Sequence, residues 1–213
     1  MTMKRVVIFT GGSLSPEFLK EIRHDDVLIA ADRGALYLID HGIRPHFAVG
    51  DFDSITDEER ERVRLNSERM ISVDAVEKDW TDTEMAFETA LDMEPTHILM
   101  LGATGTRLDH TLANVHIMVR AMQHHISCTL QDEHNYLTLT TSEASVEDRG
   151  YQYVSLLPLT PEVTGISLEG FQYPLDKATL RMGQSLGISN KLLGPAGTVT
   201  IDSGLLLIIQ SKD

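Results

Sequence analysis

One cysteine, Cys128, and one tryptophan, Trp80, are all that 213 residues hold of those two types. A single thiol excludes an internal disulfide framework and fits a reducing compartment. Basic residues are scarce as well: 18 Lys and Arg stand against 32 Asp and Glu, a formal net charge of −14. So acidic a chain argues against sequence-independent nucleic-acid binding and against docking on anionic lipid. A polyanionic ligand would need metal ions or a local basic group. No apolar run approaches the roughly 18 residues of a membrane span. The apolar run after Lys4-Arg5 is too short for a signal-peptide core and reads as a first strand. The expected location is the cytoplasm.

What is present is alternation. Residues 6–10, 27–31, 47–49, 70–73 and 97–101 are short apolar runs with strand character. Helical patterns separate them: one starting near Pro16, one after Asp32-Arg33-Gly34 that stops around Gly42, and a charged one opened by Thr56-Asp57-Glu58-Glu59, a capping-box sequence. Two more follow, over 81–92 and 109–125. This predicts an α/β fold with a mostly parallel sheet flanked by helices. After about Glu143 the helical period disappears. Short strands at 151–157, 164–168, 178–182, 198–202 and 205–210, punctuated by glycines, predict a small all-β, sandwich-like unit. The expected division is 1–143 and 144–213. A unit of about 65 residues is marginal alone and is expected to dock on a neighbour.

Ligands of such sheets sit at the carboxyl ends of the strands. There the Gly- and Asp-rich segments fall: Gly11-Gly12, Asp32-Arg33-Gly34, Gly50-Asp51-Phe52-Asp53-Ser54, and Gly102-Ala103-Thr104-Gly105. If the backbone stays extended through Phe52, Asp51 and Asp53 face one side and Phe52 the interior. Two carboxylates about 4 Å apart repel by roughly 4 kcal/mol at an effective dielectric near 20. A shared proton, a basic neighbour or a divalent cation such as Mg²⁺ relieves that. Asp82, ahead of a helix that Thr81 or Asp79 can cap, is either dipole-favoured or a third ligand, with Lys78 as a phosphate-binding charge. Glycines before Arg107 allow backbone N–H groups to approach a phosphate, although the ending of a Walker loop is missing. Asp109 can be a helix cap, and His110 with Asn114 a polar helix face. Cys128 reads as a buried, inert thiol. Gly187-Ile188-Ser189-Asn190 is turn chemistry that could also hydrogen-bond a heteroaromatic amine.

Taken in order, Asp32-Arg33-Gly34-Ala35, Gly50-Asp51-Phe52-Asp53-Ser54, Lys78-Asp79-x-Thr81-Asp82, Gly105-x-Arg107-Leu108-Asp109-His110-x-x-Ala113-Asn114 and Ser189-Asn190 resemble the thiamine pyrophosphokinase family over nearly the whole chain. The resemblance implies Mg²⁺-dependent transfer of pyrophosphate from ATP to the thiamine hydroxyl, giving thiamine diphosphate and AMP. It also implies a homodimer with thiamine near the subunit interface. Asp51, Asp53 and Asp82 would be the catalytic, metal-binding carboxylates. Asp32, Lys78, Thr81, Arg107 and Asp109 would belong to the nucleotide and phosphate region, and Ser189 with Asn190 to the thiamine-contacting turn. Thr106 stands where many relatives have a glycine, and no tryptophan lies near the C-terminus. The competing readings are a non-catalytic nucleotide or thiamine sensor, a metal-dependent nucleotide-sugar transferase, and a phosphatase with Asp51 as nucleophile.

Overall fold

The computed structural model describes residues 4–72 and 80–213. The expected Lys78 and Asp79, and the end of the predicted fourth strand at Val73, lie outside the described residues. The chain divides into two compact units, Met1–Glu133 and His134–Asp213.

The first unit is built on β1 (Arg5–Phe9), β2 (Val27–Ala31), β3 (Phe47–Gly50), β4 (Arg69–Ser72), β5 (His97–Leu101) and β6 (Ser127–Gln131). They pair in parallel in the order β4-β3-β2-β1-β5-β6. β1 is central, and its Val6, Val7, Ile8 and Phe9 are wholly buried. A strand covered on both faces needs such a continuous apolar run rather than alternation. Val7, Phe9, Leu28, Ala30, Leu99 and Leu101 form one face with Ala35, Leu38 and Phe52. Among the described residues of the unit the helices are α1 (Arg33–Asp40), α2 (Asp57–Asn66), α3 (Asp82–Leu91) and α4 (Leu108–Gln123), with a 3-10 turn at Pro16–Glu21. α1 packs on β2, α3 on β2 and β3, and α4 on β6. The capping box at Thr56 is formed, its side chain accepting from Glu59 N while Glu59 accepts from Thr56 N. The chain runs outward from β1 through β2, β3 and β4, and returns to pair β5 on the other side. The reversal opens a crevice beyond the carboxyl ends of β1 and β5, where ligands of such sheets bind.

The second unit is all β. β7 (Asn135–Thr140), β13 (Leu206–Ser211) and β9 (Tyr153–Pro158) form an antiparallel sheet. β11 (Ala178–Arg181), β10 (Glu162–Glu169), β12 (Ala196–Thr200) and β8 (Glu143–Glu147) form the other. Val146, Val154, Leu156, Ile166, Leu180, Val199, Leu206 and Ile208 make their shared core. The division at Glu133 falls earlier than the expected 143. The physical reason is β7, which the sequence reading did not assign: it pairs with β13 at the far end of the chain, and so joins the second unit.

Candidate active site

Two glycine loops meet at the crevice. After β1, Gly12 N donates to Gly102 O at 3.0 Å, and Ser13 N donates to Thr104 O at 3.0 Å. A Cβ at Gly12 would lie 2.1 Å from Gly102 O and 2.2 Å from Thr104 O. Only glycine permits that backbone approach. Around these loops lies an open cleft of about 300 Å³, lined among others by Thr10, Asp32, Thr81, Asp82, Thr104, Thr106, Arg107, His110 and Asn114.

Asp32 enters from the end of β2. Its backbone is in an unusual conformation, φ 50° and ψ −119°, which costs a non-glycine residue about 1–3 kcal/mol. Asp32 N donates to Val49 O at 3.0 Å, tying it to the end of β3. Ser54 Oγ donates to Asp32 Oδ2, whereas Asp32 Oδ1 is buried with no hydrogen-bond partner among the described residues. Burial, and next the nearby charges of Asp82 and Asp51, hold this carboxyl above the usual carboxylate range. The bond from Ser54 opposes that rise only in part.

β3 ends at Gly50, and the expected extended backbone through Phe52 is not found. Phe52 has φ 57° and is buried. Asp53 N donates to Asp51 Oδ1 at 3.0 Å, closing a turn. A buried aromatic ring anchored at the tip of a tight turn explains why the strand stops here. The interior placement of Phe52 agrees with expectation, but the backbone that achieves it is left-handed. Asp51 N donates to Asp82 Oδ1 at 3.3 Å. A Cβ at Gly50 would press on the same oxygen at 3.2 Å. Asp51 and Asp82 are thus neighbours, while Asp53 is exposed.

Asp82 opens α3. Thr81 caps that helix by accepting from Glu84 N at 3.2 Å, so of the two expected caps Thr81 is the one seen. Arg107 opens α4 and pairs with Asp109, Nη2 to Oδ2, at 2.6 Å. Both side chains are about two-thirds exposed. The Arg107 bond is the main reason the Asp109 carboxyl sits below its ordinary range. The contact between them is of the weak surface kind.

The structure therefore brings Asp32, Thr81, Asp82 and Arg107 to one cleft and sets Asp51 against Asp82, while Asp53 and Asp109 are exposed. Ser189 and Asn190 belong to the second unit. Ser189 is exposed with φ 59°, and its N–H donates to Ser155 Oγ at 3.0 Å. Asn190 is buried, its side chain accepting from Tyr173 N at 3.0 Å and donating to Tyr173 O at 2.7 Å. That is turn chemistry, and it fixes the segment presenting Ser189.

Three residues with a part in the site had no role in the sequence reading: Thr10, Ser54 and Asp132. Thr10 Oγ1 donates to Gly102 O, and Thr104 Oγ1 donates to the buried Asp132 at 2.7 Å. A hydroxyl at the end of β1, directly before Gly11-Gly12, was the available signal for the first. For Ser54 the signal was its place at the end of the Gly50-Asp51-Phe52-Asp53-Ser54 motif, and nothing local marked Asp132.

Among the described residues no group of three His, Cys, Asp or Glu side chains is already drawn together as a metal site. The donor set nevertheless fits Mg²⁺, which takes one or two carboxylates and completes its shell with water and substrate phosphate. Asp51 and Asp82, whose charges both act on the Asp32 carboxyl, could supply such a pair beside Asp32 Oδ1, which is buried without a hydrogen-bond partner among the described residues.

Comparison with known proteins identifies one family along nearly the whole chain. Residues 18–130 match the family described as thiamin pyrophosphokinase, catalytic domain, and residues 123–206 the thiamin pyrophosphokinase, vitamin B1 binding domain. Thiamine pyrophosphokinase of Bacillus subtilis is 34% identical, covering 99% of this chain and 100% of that protein. The crystal structure of a Bacillus subtilis thiamine pyrophosphokinase superposes with a TM-score of 0.91 at 33% identity, over 99% of this chain and 100% of that one. That of Geobacillus thermodenitrificans gives 0.88 at 32%, over 98% of each. The yeast enzyme, at 14% identity, still gives 0.80 over 99% of this chain and 87% of that one, a likeness of fold. This chain belongs to the thiamin pyrophosphokinase family.

Proposed function

We infer that the protein transfers a pyrophosphoryl group from ATP to the hydroxyl of thiamine, giving thiamine diphosphate and AMP. The observation that carries this reading is the meeting of acidic side chains, an arginine and two glycine loops in one cleft of a catalytic-domain fold. The thiamine oxygen bonds to the β-phosphorus of ATP, the bond from that phosphorus to the α–β bridging oxygen breaks, and AMP leaves. The hydroxyl proton departs to an aspartate or to water. Such a reaction needs positioning and charge neutralisation more than covalent catalysis.

Asp51 and Asp82 would hold Mg²⁺, with Asp53 and Asp32 at its margins. The ion supplies neutralisation of phosphate charge in a protein of net charge −14. Thr81 sets the start of α3 and so the position of Asp82. Arg107 presents its guanidinium at the mouth of the cleft, where phosphate can replace the weak surface contact with Asp109. Lys78 is proposed as a further phosphate contact. In the second unit, Asn190 shapes the turn on which Ser189 meets thiamine. We further propose a cytoplasmic homodimer; no helix among the described residues is long and apolar enough to cross a membrane.

The test is incubation with ATP, Mg²⁺ and thiamine. AMP and thiamine diphosphate should appear, and Asp51→Asn or Asp82→Asn should abolish them with the fold intact. Formation of ADP and thiamine monophosphate would make the protein a simple kinase and overturn the reading. Full activity in both variants would remove the metal assignment.

A further inference from the structure

In the loop that follows β5, three consecutive carbonyls each accept a hydrogen bond. Gly102 O accepts from Gly12 N at 3.0 Å and from Thr10 Oγ1. Ala103 O accepts from Asn114 Nδ2 at 2.7 Å. Thr104 O accepts from Ser13 N at 3.0 Å. In a trans peptide the C=O of one residue and the N–H of the next point in opposite directions. Capturing these three carbonyls therefore fixes the direction of the N–H groups of Ala103, Thr104 and Gly105, each opposite to the carbonyl of its own peptide. A row of oriented N–H groups makes an anion-binding concavity, whereas free carbonyl oxygens would repel phosphate.

Of the side-chain donors, Asn114 comes from the second turn of α4. Asparagine is a poor choice for a helix interior on propensity alone. Here the residue is only 6% exposed, and it both lines the cleft and holds Ala103 O. A buried amide in that place requires a hydrogen-bonding reason.

We propose that Asn114 is a positioning residue for the nucleotide: it locks the Ala103 peptide so that the loop presents N–H groups to the phosphates of ATP. This rests on the reading of the cleft as the ATP site. Asn114→Asp keeps the size of the side chain but puts a carboxylate oxygen against the Ala103 carbonyl. ATP affinity, measured by calorimetry on the full chain without thiamine, should fall about tenfold or more. KM for ATP should rise in parallel while KM for thiamine stays near its starting value. Thr10→Val cuts a second carbonyl contact of the same loop and should shift ATP in the same direction, with Thr10→Ser restoring it. That pair carries the test if Asn114→Asp fails to fold. A loss confined to Tm or kcat with ATP affinity unchanged, or an equal rise in both KM values, would overturn the proposal. Absence of ATP binding to the unaltered protein would instead overturn the reading of the cleft itself.

Discussion

At the scale of single residues, Asp32 carries the sharpest conflict between stability and chemistry. Its backbone is strained, one carboxylate oxygen is buried without a partner among the described residues, and burial with two neighbouring carboxylates opposes its charge. In the fold its ionised form is disfavoured, so deleting the charge should help the protein stand. Asp32→Asn is expected to raise Tm in the absence of divalent cation and to lower turnover. A variant with reduced Tm would show that the Ser54 bond outweighs burial. Cys128 gives a second test. Burial pushes its thiol up to about 12, against about 8.5 for a free thiol. The folded state thus keeps a proton that the unfolded chain gives up. This contribution is complete below about pH 8.5 and is lost as pH rises toward 12. Unfolding midpoints measured across that range should fall more steeply for the natural protein than for Cys128→Ala. A native thiol that reacts with a disulfide reagent as fast as in denaturant would contradict the burial.

At the scale of elements, legibility followed local pattern. β1, β2, β3 and β5 announced themselves as apolar runs because they are covered on both faces. β8, whose sequence Glu-Ala-Ser-Val-Glu buries one side chain deeply, gave no comparable pattern. β7 was hidden for a related reason: its pairing partner lies about 70 residues away, at β13. The α2 capping box was visible in sequence because it is made of residues three apart. Thr56→Ala should cost about 1 kcal/mol in denaturant unfolding, and a negligible change would mean that the end of the helix frays in the native protein. The acidic turn was legible as composition but not as geometry. A left-handed aromatic residue is rare, and nothing adjacent marks Phe52 as one. With that φ in the turn, Asp53 is exposed while Asp51 keeps company with Asp82. The side chains that hold the glycine loop, Thr10 and Asn114 as donors and Asp132 as acceptor, were illegible in these roles for a different reason. Thr10, Asn114 and Asp132 come from three elements that meet only after folding.

At the scale of the molecule, charge sets a condition on substrate capture. The protein is acidic, and ATP is a polyanion even with its metal. Unscreened, the two repel at long range, and salt shortens that reach to about 8–10 Å at physiological strength. The value of kcat/KM for ATP should therefore rise as ionic strength increases from a low-salt buffer at constant Mg²⁺. A monotonic fall would mean that the field near Arg107 dominates over the net charge.

The interlock of Gly12 with the loop after β5 also bears on how this sequence can change over time. Because a Cβ there would meet two carbonyl oxygens at about 2 Å, position 12 cannot drift by itself. Any larger residue needs a compensating shift at 102–104, and that shift would disturb the contacts from Thr10, Ser13 and Asn114 together. These positions form one unit of inheritance spread over some hundred residues of chain. Random libraries over both loops should return functional clones that keep Gly12 or that replace several of the partners at once.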